Sequence, residues 1–434
     1  MEKILDLARR VADEAEVFQA TLLETPVGFE ANRLKMLETG EATSVSLRVV
    51  KDGKIGFSTT TRLDDPQALV DMAVETAQFG AAARFELPSG RDYPSVEVYD
   101  GEVESFDIDD MVEMGNALIA KLLEHTPELV CEAEVAKSRV TVDIMNSRGG
   151  EASYRKSYFS VGIEGTLIRD TDMLFVGESE SSCHPVTDIE AIVSPVVRQL
   201  ELAKSLASVA TGSLPVILTP KGVRSAIFTP LALAVNGKMV MEGASPLKGK
   251  QGERLFDERL SLWDDPTINY RPASRPCDDE GVPSQRTPLV ERGVVTDFLY
   301  DLQTAALTGN RSTGNGNRSR GSLPTPSVSA VLIDEGDTPL EDMVRGMKEG
   351  LVIEMLIGAE QGNVLGGQFS GNVLLGYKVE NGEVIGRVKN TMVSGNIYEA
   401  LKRIEAIGNE AKWVGGALKA PALYLPALAV ATKG

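Results

Sequence analysis

Two short turn signals, each set between segments of alternating apolar and polar residues, constrain the fold of this chain most strongly. Asp52-Gly53 separates TSVSLRVVK from KIGFSTTT, and Asn381-Gly382 separates GNVLLGYKVE from EVIGRVKN. Asp-Gly and Asn-Gly pairs tolerate the positive φ angles of the tight turns that join antiparallel strands. The segment from Glu16 to Thr61 therefore predicts a meander of three or four antiparallel strands, and QRTPLVERGVVTDFLYD predicts a further hairpin.

Helical patterns occur in blocks of their own and do not alternate one for one with the strands. Apolar residues recur at helical spacing over Ile4–Ala15, Asp65–Ala83, Asp107–Leu122 and Asp188–Val209. Such segregation predicts an α+β fold in which helices pack on antiparallel or mixed sheets. Glycine and proline become denser after Thr211, which predicts two packed domains, residues 1–210 and a β-rich 211–434. The closing APALYLPALAVA predicts a buried terminal strand.

Composition limits the possible partners and compartment. The 63 acidic and 44 basic residues give a net charge of -19, which repels phosphate backbones and anionic lipid headgroups, so we expect neither nucleic acid nor membrane as partner. Cys131, Cys183 and Cys277 are odd in number and widely spaced, as free thiols of a reducing compartment are. The N-terminus lacks a signal-peptide pattern, and we therefore expect a cytoplasmic protein.

Four motifs follow one another in the second half of the chain. They are DDEGVPSQRTPLVERGVVTDFLYDLQTA, STGNGNRS with a downstream P-x-P, GNVLGGQFSGNVLLGYKVENGE and VSGNIYEALKRIEAIGNE. In this order they resemble the C-terminal domain of the TldD/PmbA family, whose members were first described as modulators of DNA gyrase. The resemblance covers most of residues 210–434. It implies a two-subunit zinc metalloprotease in which TldD carries the metal and TldE, also called PmbA, does not.

The scarcity of histidine indicates which of the two subunits the resemblance implies. The chain contains only His125 and His184, whereas the TldD subunit carries His-Glu-x-x-x-His early in its C-terminal domain. The segment in that position is TPKGVRSAIFTPLALAVNGKMVMEGAS, in which FTPLALAVNGKMVM predicts an apolar helix. It has no His, Asp, Glu or Cys between Ala226 and Met241, and no cysteine follows Cys277, where the family's third ligand would lie. We therefore expect a chain without catalytic or metal-binding residues and without a cofactor, whose partner subunit holds zinc.

The resemblance implies the non-catalytic, TldE/PmbA-like subunit of a heterodimeric zinc metallopeptidase that degrades or processes unfolded peptides, with a TldD-like partner. Whether the chain has activity of its own is left open. One alternative is a homodimeric binding protein that acts on peptides, toxin–antitoxin pairs or gyrase without a peptidase partner. The other is an independent enzyme whose metal site combines carboxylates with Cys277 or His184.

Candidate binding residues lie in two of the C-terminal motifs. Asp279 and Gly281 belong to the acidic turn DDEGVPS, which suits either a cation site or a charged turn with Gly281 at positive φ. Arg311, Arg318 and Arg320 accompany the glycine-rich loop, which suits either a site for phosphate or a peptide carboxylate, or a structural loop paired with the acidic surface. We predict that these five residues contact a peptide or a partner subunit.

Overall fold

The structure is a computed structural model, and it describes residues 1–62, 64–90, 92–319 and 322–432. The strands in the first half of the chain pair into one sheet, the N-terminal sheet, and buried and exposed side chains alternate along much of its length. Its elements are α1 Glu2–Ala8, β1 Glu14–Glu30, β2 Arg33–Leu37, β3 Gly40–Lys51, β4 Lys54–Thr60, α2 Pro66–Ala77, α3 Gly101–Ser105, α4 Ile108–His125, β5 Val130–Asn146, β6 Glu151–Arg169, β7 Asp172–Ser182 and α5 Glu190–Leu202. The strand order is β4-β3-β1-β5-β6-β7, with β2 beside β1, and every pair is antiparallel.

The second half forms a mixed sheet, the C-terminal sheet, around the last strand of the chain. Its elements are β8 Leu206–Ala207, β9 Gly212–Leu218, α6 Pro220–Val223, a π-helical turn Arg224–Phe228, α7 Thr229–Ala234, α8 Gly237–Glu242, β10 Leu262–Asp264, β11 Thr287–Glu291, β12 Val294–Val295, α9 Leu302–Thr308, β13 Gly316–Asn317, β14 Thr325–Pro326, β15 Val331–Ile333, α10 Leu340–Arg345, β16 Glu349–Ile357, β17 Gln368–Glu380, β18 Glu383–Val388, β19 Thr391–Asn396, α11 Ile397–Ala400, β20 Ala406–Val414 and β21 Leu418–Thr432. The main path is β12-β11-β10-β15-β21-β9-β16-β17-β18-β8, and β13 and β14 form a separate pair. The predicted terminal strand is confirmed as β21, which also pairs with β19 and β20.

The predicted α+β class is confirmed, and so are the turns that led to it. Asp52 and Gly53 have φ of 50° and 71°, and Asn381 and Gly382 have 51° and 84°, as two-residue hairpins require. The hairpin predicted in QRTPLVERGVVTDFLYD is β11–β12. The boundary predicted after residue 210 is not tested by these contacts, although β8 already belongs to the C-terminal sheet.

Three predicted helices end earlier than their apolar patterns do. α1 stops at Ala8 because the chain from Glu14 onward pairs with β3, and α5 stops at Leu202 because Leu206 and Ala207 pair with β18. The helix from Asp65 ends at Ala77, before the predicted Ala83. In these segments the backbone N–H and C=O groups form hydrogen bonds with a neighbouring strand, although the apolar spacing alone predicts a helix.

The single apolar helix predicted for FTPLALAVNGKMVM is wrong. The segment contains the end of the π-helical turn, then α7, then α8. Asn236 separates the last two, because its side chain accepts hydrogen bonds from the N–H groups of Lys238 and Met239 and starts a new helix. No helix in the described parts of the chain is long and apolar enough to cross a membrane.

The two faces of the N-terminal sheet have different neighbours. α1, α2, α4 and α5 pack on one face in two apolar clusters, one of which also includes Val352 and Leu375 of the second half. The opposite face turns toward the second half of the chain, where Phe18, Ile144 and Ala152 pack against Cys277. Farther along β1, β5 and β6 this second face is uncovered, and the candidate site lies there.

Candidate functional site

A cleft of about 1140 Å³ lies between the N-terminal and C-terminal sheets. One wall consists of the ends of β1 and β2 with parts of β5, β6 and β7. The other consists of α6, the π-helical turn, the end of β16 with the loop after it, and the end of β20. A concave space of this size, with polar side chains among apolar ones, is the usual form of a ligand site.

The wall of the cleft on the N-terminal sheet carries acidic side chains next to glycines. Along β5, Cys131 and Ala133 are buried while Glu132 and Glu134 are exposed, so both glutamates project from the uncovered face. Glu132 pairs with Glu164 of β6, and Glu134 pairs with Gly162. This wall therefore has a negative surface with free space next to it.

The opposite wall begins at Thr219, whose side chain caps the helix α6. The Thr219 hydroxyl accepts a hydrogen bond from Gly222 N (3.4 Å) and donates one to Glu354 Oε2 of β16 (3.1 Å). The Ser225 hydroxyl donates to Gly222 O (3.1 Å) and accepts from Leu356 N (3.2 Å). These bonds hold α6 and the π-helical turn against β16. Turns of the π-helical kind often occur at functional sites.

Two cations on this wall are already engaged by acidic partners. Lys221 Nζ lies 2.8 Å from Glu178 Oε2, and Arg224 Nη1 lies 3.9 Å from Glu360 Oε1. Burial raises the pKa of Glu354, and the nearby Lys221 opposes that increase. The wall thus presents paired charges and one carboxyl group whose charged form is disfavoured.

Two edges of the N-terminal sheet border the cleft, and they differ in access. At β7 the side chain of Gln199 accepts from Gly177 N (2.9 Å) and donates to Gly177 O (3.2 Å), where Lys221 Nζ also donates (2.7 Å). These bonds occupy the backbone that a new strand would need. Strand β2 pairs only with β1 among the described residues and is exposed throughout, with Leu34 43%, Met36 41% and Leu37 49% exposed. The open edge is therefore β2.

Family models match two parts of this chain. The model described as the PmbA/TldA metallopeptidase C-terminal domain matches residues 211–432, just over half of the chain. The chain belongs to the PmbA/TldD family. The model of PmbA/TldA metallopeptidase domain 1 matches residues 15–77, which span most of β1 to α2.

The likeness to other members of the PmbA/TldD family extends over nearly the whole chain. An uncharacterized protein of Methanocaldococcus jannaschii is 29% identical over 93% of both chains. A protein of Methanothermobacter thermautotrophicus named metalloprotease is 25% identical and covers 94% of this chain and 90% of its own. The solved structure of TldE from Thermococcus kodakarensis is 23% identical, covers 99% of both chains and superposes with a TM-score of 0.90, which confirms the fold.

The side chains of this cleft wall can be compared with those that hold zinc in metallopeptidases of this family. Lys221, Arg224 and Ser225 line it, and they belong to the segment that corresponds, by resemblance, to the metal-binding region of TldD. Ammonium and guanidinium groups have no lone pair to give a metal, and zinc sites use Cys, His and carboxylates. Within the described ranges no group of three or more such residues is arranged to hold a metal ion. This wall does not fit a zinc site.

Three of the five residues predicted from sequence come together at the contact between the two halves of this PmbA/TldD-family chain. Asp279 Oδ2 accepts from Arg318 N (2.7 Å), and the Asp279 carbonyl accepts from Arg318 Nε (3.2 Å). Gly281 has φ of +71°, as a charged turn requires. Arg311 is exposed elsewhere, and Arg320 lies outside the described residues. Their role in binding a peptide or partner stays a prediction.

Arg318 and Asp279 belong to a buried ionic cluster that joins the two sheets. Arg48 of β3 bonds to Glu16 of β1 (2.8 Å) and to Glu280 (2.5 Å), while Arg318 also contacts Glu16. The side chains of Glu16, Arg48, Glu280 and Arg318 are at most 3% exposed. Burial raises the pKa of Glu280 to about 8, against the attraction of Arg48.

The histidines and cysteines take no part in the cleft wall. His184 lies on the surface with Nδ1 2.5 Å from Asp100 Oδ2, while the neighbouring Cys183 is fully buried, so the two side chains do not form a nucleophile–base pair. His125 pairs with Glu201 at 2.7 Å. Burial raises the pKa of Cys183 to about 11 and that of Cys277 to about 12, so both remain thiols.

Sequence reasoning missed most of the cleft. Glu132, Glu134 and Glu164 are ordinary exposed strand residues when only the sequence is known. Glu354 did carry a signal, because it is the one charged residue inside the apolar run LVIEMLI. A carboxylate in a buried strand needs a partner or a function.

Proposed function

We propose that this chain is the non-catalytic, TldE/PmbA-like subunit of a heterodimeric zinc metallopeptidase that degrades or processes unfolded peptides. The cleft wall formed by Lys221, Arg224 and Ser225 carries this proposal. It leaves a space large enough for a peptide while presenting side chains that do not bind zinc. In this proposal the zinc belongs to a TldD-like partner, and the present chain holds the substrate.

The open edge of β2 supports a role in holding peptides. An exposed strand edge can bind an extended peptide through backbone hydrogen bonds, without regard to the peptide's sequence. Lys35 and Met36 of β2 also line the cleft, so a peptide paired with this edge lies at the mouth of the cleft. On the N-terminal sheet the bonds to Gly177 occupy the edge of β7, which leaves β2 as the edge that a peptide can join.

A full-length fold neighbour is named TldE and a relative is named metalloprotease, and these names support a role in a peptidase system. The three cysteines are buried free thiols, in keeping with our expectation of a cytoplasmic protein. We also expect that the chain pairs with a TldD-like subunit in preference to a second copy of itself.

Co-purification with a TldD-like protein from the same genome tests the proposal. Alone, the chain should contain no stoichiometric zinc and should cleave no unfolded peptide. Together, the two proteins should form a complex with zinc in the partner and chelator-sensitive cleavage. The matched control is a partner whose His-Glu-x-x-x-His glutamate is changed to glutamine, which should still bind this chain but lose cleavage. Chelator-sensitive cleavage by this chain alone, or no effect of this chain on the partner's activity, would overturn the proposal.

A further inference from the structure

Two glutamates of like charge stand directly opposite each other on the cleft wall. Glu132 of β5 and Glu164 of β6 are cross-strand partners, and both are exposed on the uncovered face. Like charges in this position destabilise a sheet. The ion pairs of the described residues include neither of them. The fold therefore gains nothing from this pair of like charges, whereas a bound cationic group would offset the repulsion between the two carboxylates.

A groove runs across the same face beside this pair. Glu134 lies between Gly28 of β1 and Gly162 of β6 in the strand register. Neither glycine places a side chain over the sheet, and a β-carbon at Gly162 would lie only 3.0 Å from that of Ser179. A β-carbon at Gly28 would likewise lie 3.3 Å from Met36 Cε, so neighbouring side chains lie close to both glycines, and Glu134 stands between them on the floor of the cleft.

The cleft as a whole has an excess of negative charge. Seven glutamates line it against three cationic residues, Lys35, Lys221 and Arg224. Lys221 and Arg224 are paired with Glu178 and Glu360 on their own side. The negative charge of the opposite wall is therefore left for a ligand.

The spacing of the glutamates suits an extended chain. Glu132 and Glu134 are two residues apart on one strand and face the same side. Their separation along the strand is about 7 Å, the distance between alternate side chains of any extended peptide. A peptide lying along β5 can place successive lysines or arginines against these carboxylates, with Glu164 close to the first of them.

We propose that this acidic groove binds the basic side chains of an extended, unfolded peptide, so that the chain favours lysine- and arginine-rich substrates. This inference rests on the proposed function in one respect, that the ligand is a peptide. It adds the class of peptide and the residues Glu132, Glu134 and Glu164 that select it.

Fluorescence anisotropy with the full chain alone tests the inference without a partner. Two labelled unfolded peptides of equal length carry either lysine or glutamine at alternate positions. The lysine peptide should bind more tightly, and its affinity should fall as salt is added. A Glu132→Gln/Glu164→Gln variant should bind it about fivefold more weakly, the effect of losing two exposed ion pairs. The control is Glu75→Gln/Glu113→Gln, which removes two exposed charges outside the cleft and should leave binding unchanged.

The outcomes separate this inference from the proposed function. Equal binding of both peptides, no binding of either, or an unchanged affinity in the cleft variant would overturn the inference. Complete displacement of the lysine peptide by millimolar Mg²⁺ at constant ionic strength would also overturn it, in favour of a small-cation site. A clear preference for the lysine peptide without any effect on a TldD-like partner would keep the inference and refute the subunit role.

Discussion

Replacing Arg48 with methionine tests whether the buried ionic cluster holds the two sheets together. Arg48 connects Glu16 in the N-terminal sheet to Glu280 in the second half of the chain, and its guanidinium lies 4.5 Å from the ring centre of Phe85. Methionine keeps much of the volume but supplies neither charge nor hydrogen bonds. Glu280 would then be left fully buried without its guanidinium.

Removing one partner of a buried ion pair typically costs about 3–5 kcal/mol, because the remaining charge stays out of water. We expect Arg48→Met to destabilise the chain by that amount at pH 9, where Glu280 is charged; near pH 7 this acid is mostly protonated, and the loss should be smaller. A second change, Glu280→Gln, removes the orphaned acid and should recover part of the loss. Arg148→Met is the matched control, because Arg148 is 39% exposed and pairs with Glu14 and Glu86 on the surface. It should cost less than about 1 kcal/mol.

Urea denaturation measures these differences, with tryptophan fluorescence and circular dichroism recorded on the same samples. Trp263 and Trp413 both lie in the second half of the chain, so the two signals together show whether the halves unfold at one midpoint. If Arg48→Met loses no more stability than Arg148→Met, the cluster does not hold the sheets together and the reasoning is refuted.

Three further predictions concern stability. Burial raises the pKa of Glu280 in the folded chain to about 8, against an ordinary value of 4.5. The protonated carboxyl group therefore contributes its full stabilisation below pH 4.5, and this contribution to the free energy of unfolding is lost as the pH rises through 8. Calorimetry should show a flatter decline in melting temperature from pH 6 to 9 for Glu280→Gln, and an unchanged slope would contradict this. Gly222→Ala should cost about 1–3 kcal/mol in urea titrations, since a β-carbon there would lie 2.4 Å from Ile353 O; a wild-type midpoint would argue against that close approach. Glu132→Gln with Glu164→Gln should raise stability by about 0.5 kcal/mol in the same titrations by removing a like-charge pair, whereas a loss would show that these glutamates serve the fold.

Local chemistry explains which parts of the fold were predictable. The two hairpin turns follow from Asp-Gly and Asn-Gly pairs, and Thr219 caps the short helix that Pro220 begins. The ends of α1 and α5 were not predictable, because distant strands pair with the residues that follow them. The break at Asn236 was visible in the sequence, as a capping residue followed by glycine, but the apolar spacing masked it.

The candidate site shows the same division more sharply. Asp279, Gly281 and Arg318 were selected as neighbours in motifs, and the structure does bring them together, but at a buried contact between the sheets. The cleft residues come from β1, β5, β6, β7 and β16, which together span more than 300 residues of the chain. No short motif can express such a set.

The sequence by itself determined the antiparallel α+β character of this protein, its membership of the PmbA/TldD family and the lack of metal-ligand residue types between Ala226 and Met241. These depend on turn chemistry, side-chain periodicity and residue identity, which are local properties. Tertiary structure alone decided that Glu132 faces Glu164, that Gln199 closes the edge of β7 and that Arg48 is buried between two carboxylates. Those depend on strand register and on the packing of distant segments, because charge and access belong to surfaces that exist only once the chain has folded.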